Sequence, residues 1–512
     1  MATGTRRTLA ALIAAAGALL AACTGLPFHA APRADLHARC EALFARVDDV
    51  VARERVGDAS AARIRGFRHL RVDRLLASFR TEASGDAAVR FWAGRLARLD
   101  AAARDTEIAN LPPAARDALA GAMAPPHADL ATALAQCRDE LLAADLADPT
   151  RLAALRGAAV VPDDYSTVRR IAGLYPLTRI PFAAGVRMFE RETAQVFALP
   201  LAALPVHGRL QRFAPPDETR PSRREQAQRI RQAAANPLGV PYVEGEALRV
   251  LALAHAPVLE VDVAGDDDLI GTPAWPPRGP ARIDPSQAAV FYRAAHTRIG
   301  EHVLLQLVYT AWFPARPSGG ALDLLAGHLD GVVWRVTLAP DGEPLLFDSI
   351  HPCGCYHFFF PTPRARPRTA PASLDEWRFV PQALPRQAEP QRVVLRIAPH
   401  THYLQRVHTE PSTVSAPPFR YALHADDVLR RLPLPHGESR SLFGPDGFVA
   451  GTERAERFLF WPMGIVNPGA MRQWGRHATA FVGRRHFDDP RLIDERFELL
   501  IEGEEVPPAN TR

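Results

Sequence analysis

The stretch HPCGCYH, residues 351 to 357, sets His351, Cys353, Cys355 and His357 on alternate positions. Imidazole nitrogen and thiolate sulfur are what zinc takes, four ligands at about 2.0 to 2.3 Å, so the spacing raises a metal site. A second alternate pair, His400 and His402, follows in APHTHYL. Alternate side chains of an extended strand share a face. Cys353 with Cys355, or Cys355 with His357, facing His400 and His402 across a sheet would supply four N/S ligands for zinc, and copper(I) also accepts thiolates. The four residues of HPCGCYH cannot share one ion while extended, because six residues of strand span about 20 Å. A fold at Gly354 would remove that limit.

Whether two such cysteines stay free depends on the compartment, and the first 23 residues bear on it. MATGTRRTLAALIAAAGALLAAC carries Arg6 and Arg7, then an uncharged apolar run from Leu9 to Ala22, then Cys23. That run is shorter than the ~20 residues a membrane span needs, and a basic start before it marks an export signal. Leu20-Ala21-Ala22-Cys23 resembles the lipobox of bacterial lipoproteins. The resemblance covers the leader alone. It implies a signal peptide over 1–22, acylation of Cys23, a lipidated linker over 23–33 and anchoring to the membrane through lipid. With Thr24 after the cysteine in place of aspartate, it also implies the outer membrane, with the protein facing the periplasm. No later segment offers 18 consecutive apolar residues.

Outside the cytoplasm thiols tend to oxidise. With Cys23 set aside, Cys40, Cys137, Cys353 and Cys355 allow three pairings. The domain reading favours Cys40 with Cys137, joining two helices, and Cys353 with Cys355, closing a tight loop. Disulfides prefer Cα atoms about 5.5 to 6 Å apart, so an extended Cys-Gly-Cys bridge would be strained, and strain makes a bridge easier to reduce, leaving both an inert and a redox-active pair open. Pro352 and Gly354 offer the turn that relieves it.

Other motifs narrow the field. CGCYH lacks the CxxCH spacing of haem attachment, and HExxH, GxSxG, GxGxxG and the P-loop are absent. His328 and Asp330 in GHLDG, with a later histidine such as His400, match a two-histidine, one-carboxylate iron site. Trp474, His477, Arg484, Arg485 and His486 cluster near the C-terminus, where arginine forks suit an anion. The 61 basic residues are all arginine and face 57 acidic ones. That balance gives no basic face of the kind nucleic acid requires.

The elements that must position these residues change character along the chain. Residues 34–200 read as a helical domain. In DLHARCEALFARVDDVV the apolar positions recur every three or four residues, and AARIRGFRHLRVDRLLASF, AAVRFWAGRLARL, ADLATALAQCRDELLAA and PFAAGVRMFERETAQVF repeat the stripe. Residues 201–240 are proline-bounded and polar, a connector. Over 241–512 short runs rich in Val, Leu and aromatics, such as EALRVLALAHAPVLEVDV and DGVVWRVTLA, predict a β-rich domain carrying the His/Cys cluster. APDGEP predicts a hairpin turn. The fold expected is α+β. The function expected is a tethered periplasmic protein acting by binding or envelope assembly with a protein or envelope partner. The alternatives are a metal-dependent hydrolase with a His/Cys site, zinc being the candidate cofactor, and a thiol–disulfide protein.

Overall fold

The computed structural model describes residues 33–121, 129–320, 323–387, 391–411 and 419–501. The signal peptide, Cys23 and most of the linker lie outside the described residues. The fold is α+β, with helices concentrated in the first half of the chain and sheets in the second.

The N-terminal part is built on helices α1 (Arg33–Glu54), α2 (Asp86–Ala109) and α3 (Leu130–Ala147). Their stripes meet as expected: Cys40, Phe44, Val47 and Val51 of α1 pack with Leu134 and Leu141 of α3. Cys40 and Cys137 form the disulfide between α1 and α3. It closes a loop of 97 residues, a constraint of the size that stabilises a fold by about 2 to 4 kcal/mol. One helical expectation fails. ARIRGFRHLRV forms an antiparallel hairpin, Ala62–Ile64 with Phe67–Val72, turning at Gly66 with φ 84°. The hairpin lies on α2 and buries His69 and Arg71, and Arg71 donates to Glu107 at 2.7 Å. Tertiary burial overrides the local helical spacing here.

Helix α4 (Thr167–Ala172) starts where Ser166 caps the Arg169 amide. Helix α5 (Tyr175–Ala198) follows with proline in its first turn, and only Ala183 and Phe197 of its 24 residues are buried. The segment 201–240 carries more than a connector. It holds strand β1 (Arg209–Ala214) and helix α6 (Arg223–Ala233), whose Ser222–Glu225 capping box seals the start. EALRVLALAH, expected as strand, is helix α7 (Gly245–His255), because a continuous apolar run of Leu and Ala suits a buried helix as well as a strand.

Strands β2 (Val258–Val263), β3 (Ala289–Ile299), β4 (His302–Arg316), β5 (Gly327–Leu338), β6 (Pro344–Ile350), β7 (Phe358–Pro361), β8 (Gln391–Ile397), β9 (Leu404–Pro411), β10 (Phe419–Arg420) and β11 (Ala422–Ala425) complete the sheets. Of the two largest sheets among the described residues, one runs β9-β8-β2-β1-β10 and the other β7-β6-β5-β4-β3-β11. The hairpin predicted at APDGEP joins β5 to β6, with Gly342 donating to Ala339 O. The main core lies where both sheets meet α7: Leu251 and Ala252 pack with Val261, Leu395, Leu307, Trp334 and Phe347. Strand β5 is buried on both faces over most of its length. A polar side chain placed there needs partners inside the protein.

Candidate functional site

HPCGCYH is a turn. His351 O accepts from the Gly354 amide at 2.8 Å, and the His351 amide donates to Cys355 O at 3.0 Å. Pro352 presets the turn, and Gly354 takes φ 92°, which no branched residue tolerates well. Strand alternation therefore does not apply to these residues, and regular β pairing resumes only at Phe358. A Cβ at Gly331 would meet Pro352 Cγ at 2.8 Å. The missing side chain in HLDG thus lets the turn sit directly on β5.

The turn delivers its residues to different places. His351 lies against Asp330 of β5, its Nδ1–H donating to Oδ1 at 3.2 Å. His402 reaches the same carboxylate from the β8–β9 turn, Nδ1–H to Oδ2 at 2.9 Å, and stacks on Phe313 at 3.9 Å between ring centroids. Its Nε2 lies 3.4 Å from Asp268, a carboxylate that also takes the Ala264, Gly265 and His400 amides. Arg454 closes the set, donating to Leu329 O at 3.0 Å with the same nitrogen 3.4 Å from Asp330. His400 enters through its backbone, and its residue is exposed. His357 leaves the group altogether. It donates to Asp348, which also holds the buried Arg335. The candidates His351, Cys353, Cys355, His357, His400 and His402 are thus not one ligand shell. Among the described residues no group of three or more His, Cys, Asp or Glu side chains is placed to hold a metal ion. The zinc reading finds no ligand set here. His328 points its ring to Ala281 O, away from an iron site with Asp330.

Cys353 and Cys355 are free thiols in this structure, not the expected disulfide. They stand within hydrogen-bonding reach, and the Cys355 thiol donating to Cys353 lowers the pKa of Cys353 and raises that of Cys355.

Strain marks this region. Leu329, Tyr356, His400 and His402 all have positive φ, between 53° and 61°. Each such residue costs about 1 to 3 kcal/mol and persists where the surroundings over-determine it, which is common at functional sites. Burial acts to raise the Asp330 pKa, but His351, Arg454 and the imidazole hydrogen bonds outweigh it and hold the carboxyl well below its usual range. His402, desolvated but flanked by Asp268 and Asp330, is raised, whereas burial leaves His351 lowered and neutral. Two imidazoles whose pKa values are driven in opposite directions therefore share one carboxylate.

Tyr356 and Tyr403 form the wall in front of His351, with ring centroids 4.9 and 5.7 Å from it, and Arg316 donates to the Tyr403 hydroxyl at 3.2 Å. On their other side opens a cavity of about 700 Å³. Phe182, Val186 and Phe189 of α5 form one wall, and Phe358, Phe379 and Phe481 stand among the rest. Its few polar groups are Cys355, Tyr356, Tyr403, His357, Thr479, Arg485 and three carboxyls. Burial pushes Glu456 up to about 7 against nearby arginines, and burial with Glu376 beside it pushes Glu190 up to about 7. Glu376 accepts the Phe481 and Val482 amides and is raised by its own burial. A Cβ at Gly469 would collide with the Glu456 carboxyl, so that glycine makes room for it.

The C-terminal cluster supports this architecture. Arg485 donates to Thr479 O and Trp377 O, Arg484 reaches Asp163, and His477 is buried. These are structural ties, and the expected anion site is not assembled. Sequence reasoning missed Asp268, Tyr403, Arg454 and Glu456, which gain meaning only through contacts across the fold.

No protein-family model matches this chain, and no curated protein or solved structure matches it.

Proposed function

We propose that this protein is an envelope-tethered binding protein whose cavity takes an amphiphile with a long apolar chain. The observation that carries the reading is the cavity itself, about 700 Å³ and walled by aromatic and aliphatic side chains with a few convergent polar groups. That volume lies within the roughly 300 to 1,000 Å³ typical of ligand sites, and the lining is of the usual kind. Three carboxyls on the wall favour a hydroxyl- or amine-bearing head group over an anion, since an anion would meet carboxylates wherever Arg485 does not reach. The leader resemblance supplies the location, a lipid anchor at Cys23 facing the periplasm. Binding of a membrane-derived molecule is chemistry suited to that location.

Gly185 tests the reading. It lines the cavity from α5, and nothing lies within 4 Å of the Cβ it lacks. Gly185→Phe is expected to fill the space and weaken binding of the neutral fluorophore N-phenyl-1-naphthylamine by at least about tenfold, or ~1.4 kcal/mol. The fold should be retained, because replacing glycine inside a helix favours the helix by up to ~1 kcal/mol. Unchanged fluorophore binding in a folded variant would refute the cavity reading. Solvent extraction of the purified wild-type protein, followed by mass spectrometry, identifies what it carries.

A second reading, an acid–base enzyme acting on the bound molecule, is favoured by the buried Asp330–His351 pair beside the cavity. A neutral imidazole oriented by a carboxylate is the arrangement of a general base. On this reading His351→Gln leaves fluorophore binding intact while abolishing hydrolysis of long-chain p-nitrophenyl esters. Absence of hydrolysis in the wild type across that ester series would count against it.

A further inference from the structure

Helices α4 and α5, with Leu174 between them, carry large apolar side chains that do not line the cavity. Val168, Ile171, Leu174, Leu177 and Ile180 recur every three residues, and all are more than half exposed. Val168 and Ile171 reach 76% and 71%. A helix that is apolar on its inner wall and again on its outer face is normally buried on both sides. Here α5 buries only Ala183 and Phe197.

The stripe continues onto a neighbouring segment. Residues 457–463 lie against α4, where the Ser166 amide donates to Gly464 O and Arg170 donates to Met463 O, and Phe182 meets Phe460 edge-on at 5.3 Å. From that segment Phe458 projects 72% exposed and Leu459 55%, with Trp461 at 37%. Leu459 and Phe460 also line the cavity. One continuous apolar surface therefore runs from the exterior to the cavity wall. Scattered exposed apolar residues need no explanation, but a contiguous patch marks an interaction site.

We infer that this face docks on a lipid bilayer with anionic head groups and opens the cavity directly to the lipid phase. Charge decides for a bilayer of that kind. Residues 167–198 contain five arginines, of which Arg169 donates to Ile465 O, Arg170 to Met463 O and Gly483 O, and Arg179 lies 3.6 Å from Asp375; Arg187 and Arg191 stand with them against two glutamates, Glu190 and Glu192. Glu190 faces the cavity, and its pKa of about 7 leaves it partly uncharged. Arg457 adds a cation over the Phe458 ring. Apolar residues flanked by arginine, with an aromatic at the edge, are the composition of a helix lying in the membrane interface. Among the described residues no helix is long and apolar enough to cross a membrane, so the contact is one that lies on the surface. The docking is separate from the acyl anchor implied at Cys23. It deepens the cavity reading, resting on it for the identity of the ligand's source: a chain-bearing molecule passes along the patch without crossing water.

The test uses the chain from Thr24 onward, which lacks the lipidated cysteine and keeps every described residue. It is mixed with vesicles of phosphatidylethanolamine and phosphatidylglycerol, or of phosphatidylcholine alone, and floated on a density gradient. Wild type is expected to float with the anionic vesicles, at least about tenfold more than with phosphatidylcholine. The triple variant Ile171→Glu/Leu177→Glu/Phe458→Glu should lose flotation while binding N-phenyl-1-naphthylamine as wild type does. Its substitutions are all at exposed positions, so loss of fluorophore binding would instead show a damaged cavity, and Leu177→Glu alone then repeats the flotation test. Failure of wild type to float, flotation of the folded variants, or a wild-type dimer that the variants convert to monomer would overturn the proposal, the last assigning the face to a second copy of this chain. Gly185→Phe should float normally, which separates docking from cavity binding.

Discussion

Replacing Asp330 by asparagine is expected to lower the unfolding free energy by about 3 to 5 kcal/mol, the cost of leaving buried charge without its partner. Asp330 is fully buried and receives His351 and His402 on separate oxygens, with Arg454 3.4 Å away. Asparagine has the same volume but carries no charge and presents an NH2 group to one of three donors. The Arg454 guanidinium would then lose its nearest carboxylate in a dry site, with Asp268 beside His402 and Glu456 near Arg454 as the remaining acidic groups. Urea unfolding reads the effect as a fall in midpoint at unchanged slope. Adding Arg454→Met should recover part of the loss, because removing both partners of a buried pair costs less than removing one. A loss below about 1 kcal/mol in the single variant would show that the network contributes no stability.

Lowering the pH from 7 to 5 is expected to remove about 4 kcal/mol through His357 and His477 alone. Burial depresses both to about 3 in the folded protein, against an unfolded value near 6.5. A histidine depressed on folding contributes stability that is complete above its unfolded pKa. That stability falls as pH drops, because the unfolded chain takes up protons the fold refuses. At pH 5 each of the two has lost about 2 kcal/mol, and the loss runs on to about pH 3. His402 acts in the opposite sense: its raised pKa gives stability present below pH 6.5 and lost as pH climbs through the folded value. Acid therefore leaves its contribution intact. His477→Gln should remove about 2 kcal/mol of the acid-dependent loss in urea titrations at the two pH values. Equal wild-type stability at pH 7 and pH 5, within about 1 kcal/mol, would exclude the mechanism.

How far the sequence could be read varied with the range of the forces involved. The stripes of α1, α2 and α3 were legible because helical burial repeats every three to four residues in any context. The β5–β6 hairpin was legible because Asp341-Gly342 carries its own turn chemistry. EALRVLALAH and RIRGFRHLRV were misread because short apolar runs fit helix and strand alike, and only burial against α7's sheets and against α2 chose between them. At the site, sequence spacing singled out His351 and His402 but for metal ligation. It singled out Asp330 too, with the wrong partners.

By itself, then, the sequence determined the α+β division and favoured the pairing of Cys40 with Cys137, because residue periodicity and the placing of those two cysteines on separate helices are properties of the chain. It also directed the search for chemistry to the C-terminal half, where histidine is dense and the close cysteine pair lies. Only the tertiary structure decided what those residues do together. A turn at Gly354 sent His357 to Asp348 and His351 to Asp330, while strands far apart in sequence brought His402, Asp268 and Arg454 to the same carboxylate. The cavity and the apolar face of α4 and α5 were likewise decided there. Whether an apolar side chain ends in a core, a pocket or on a surface depends on what packs against it, and that is set by the whole fold.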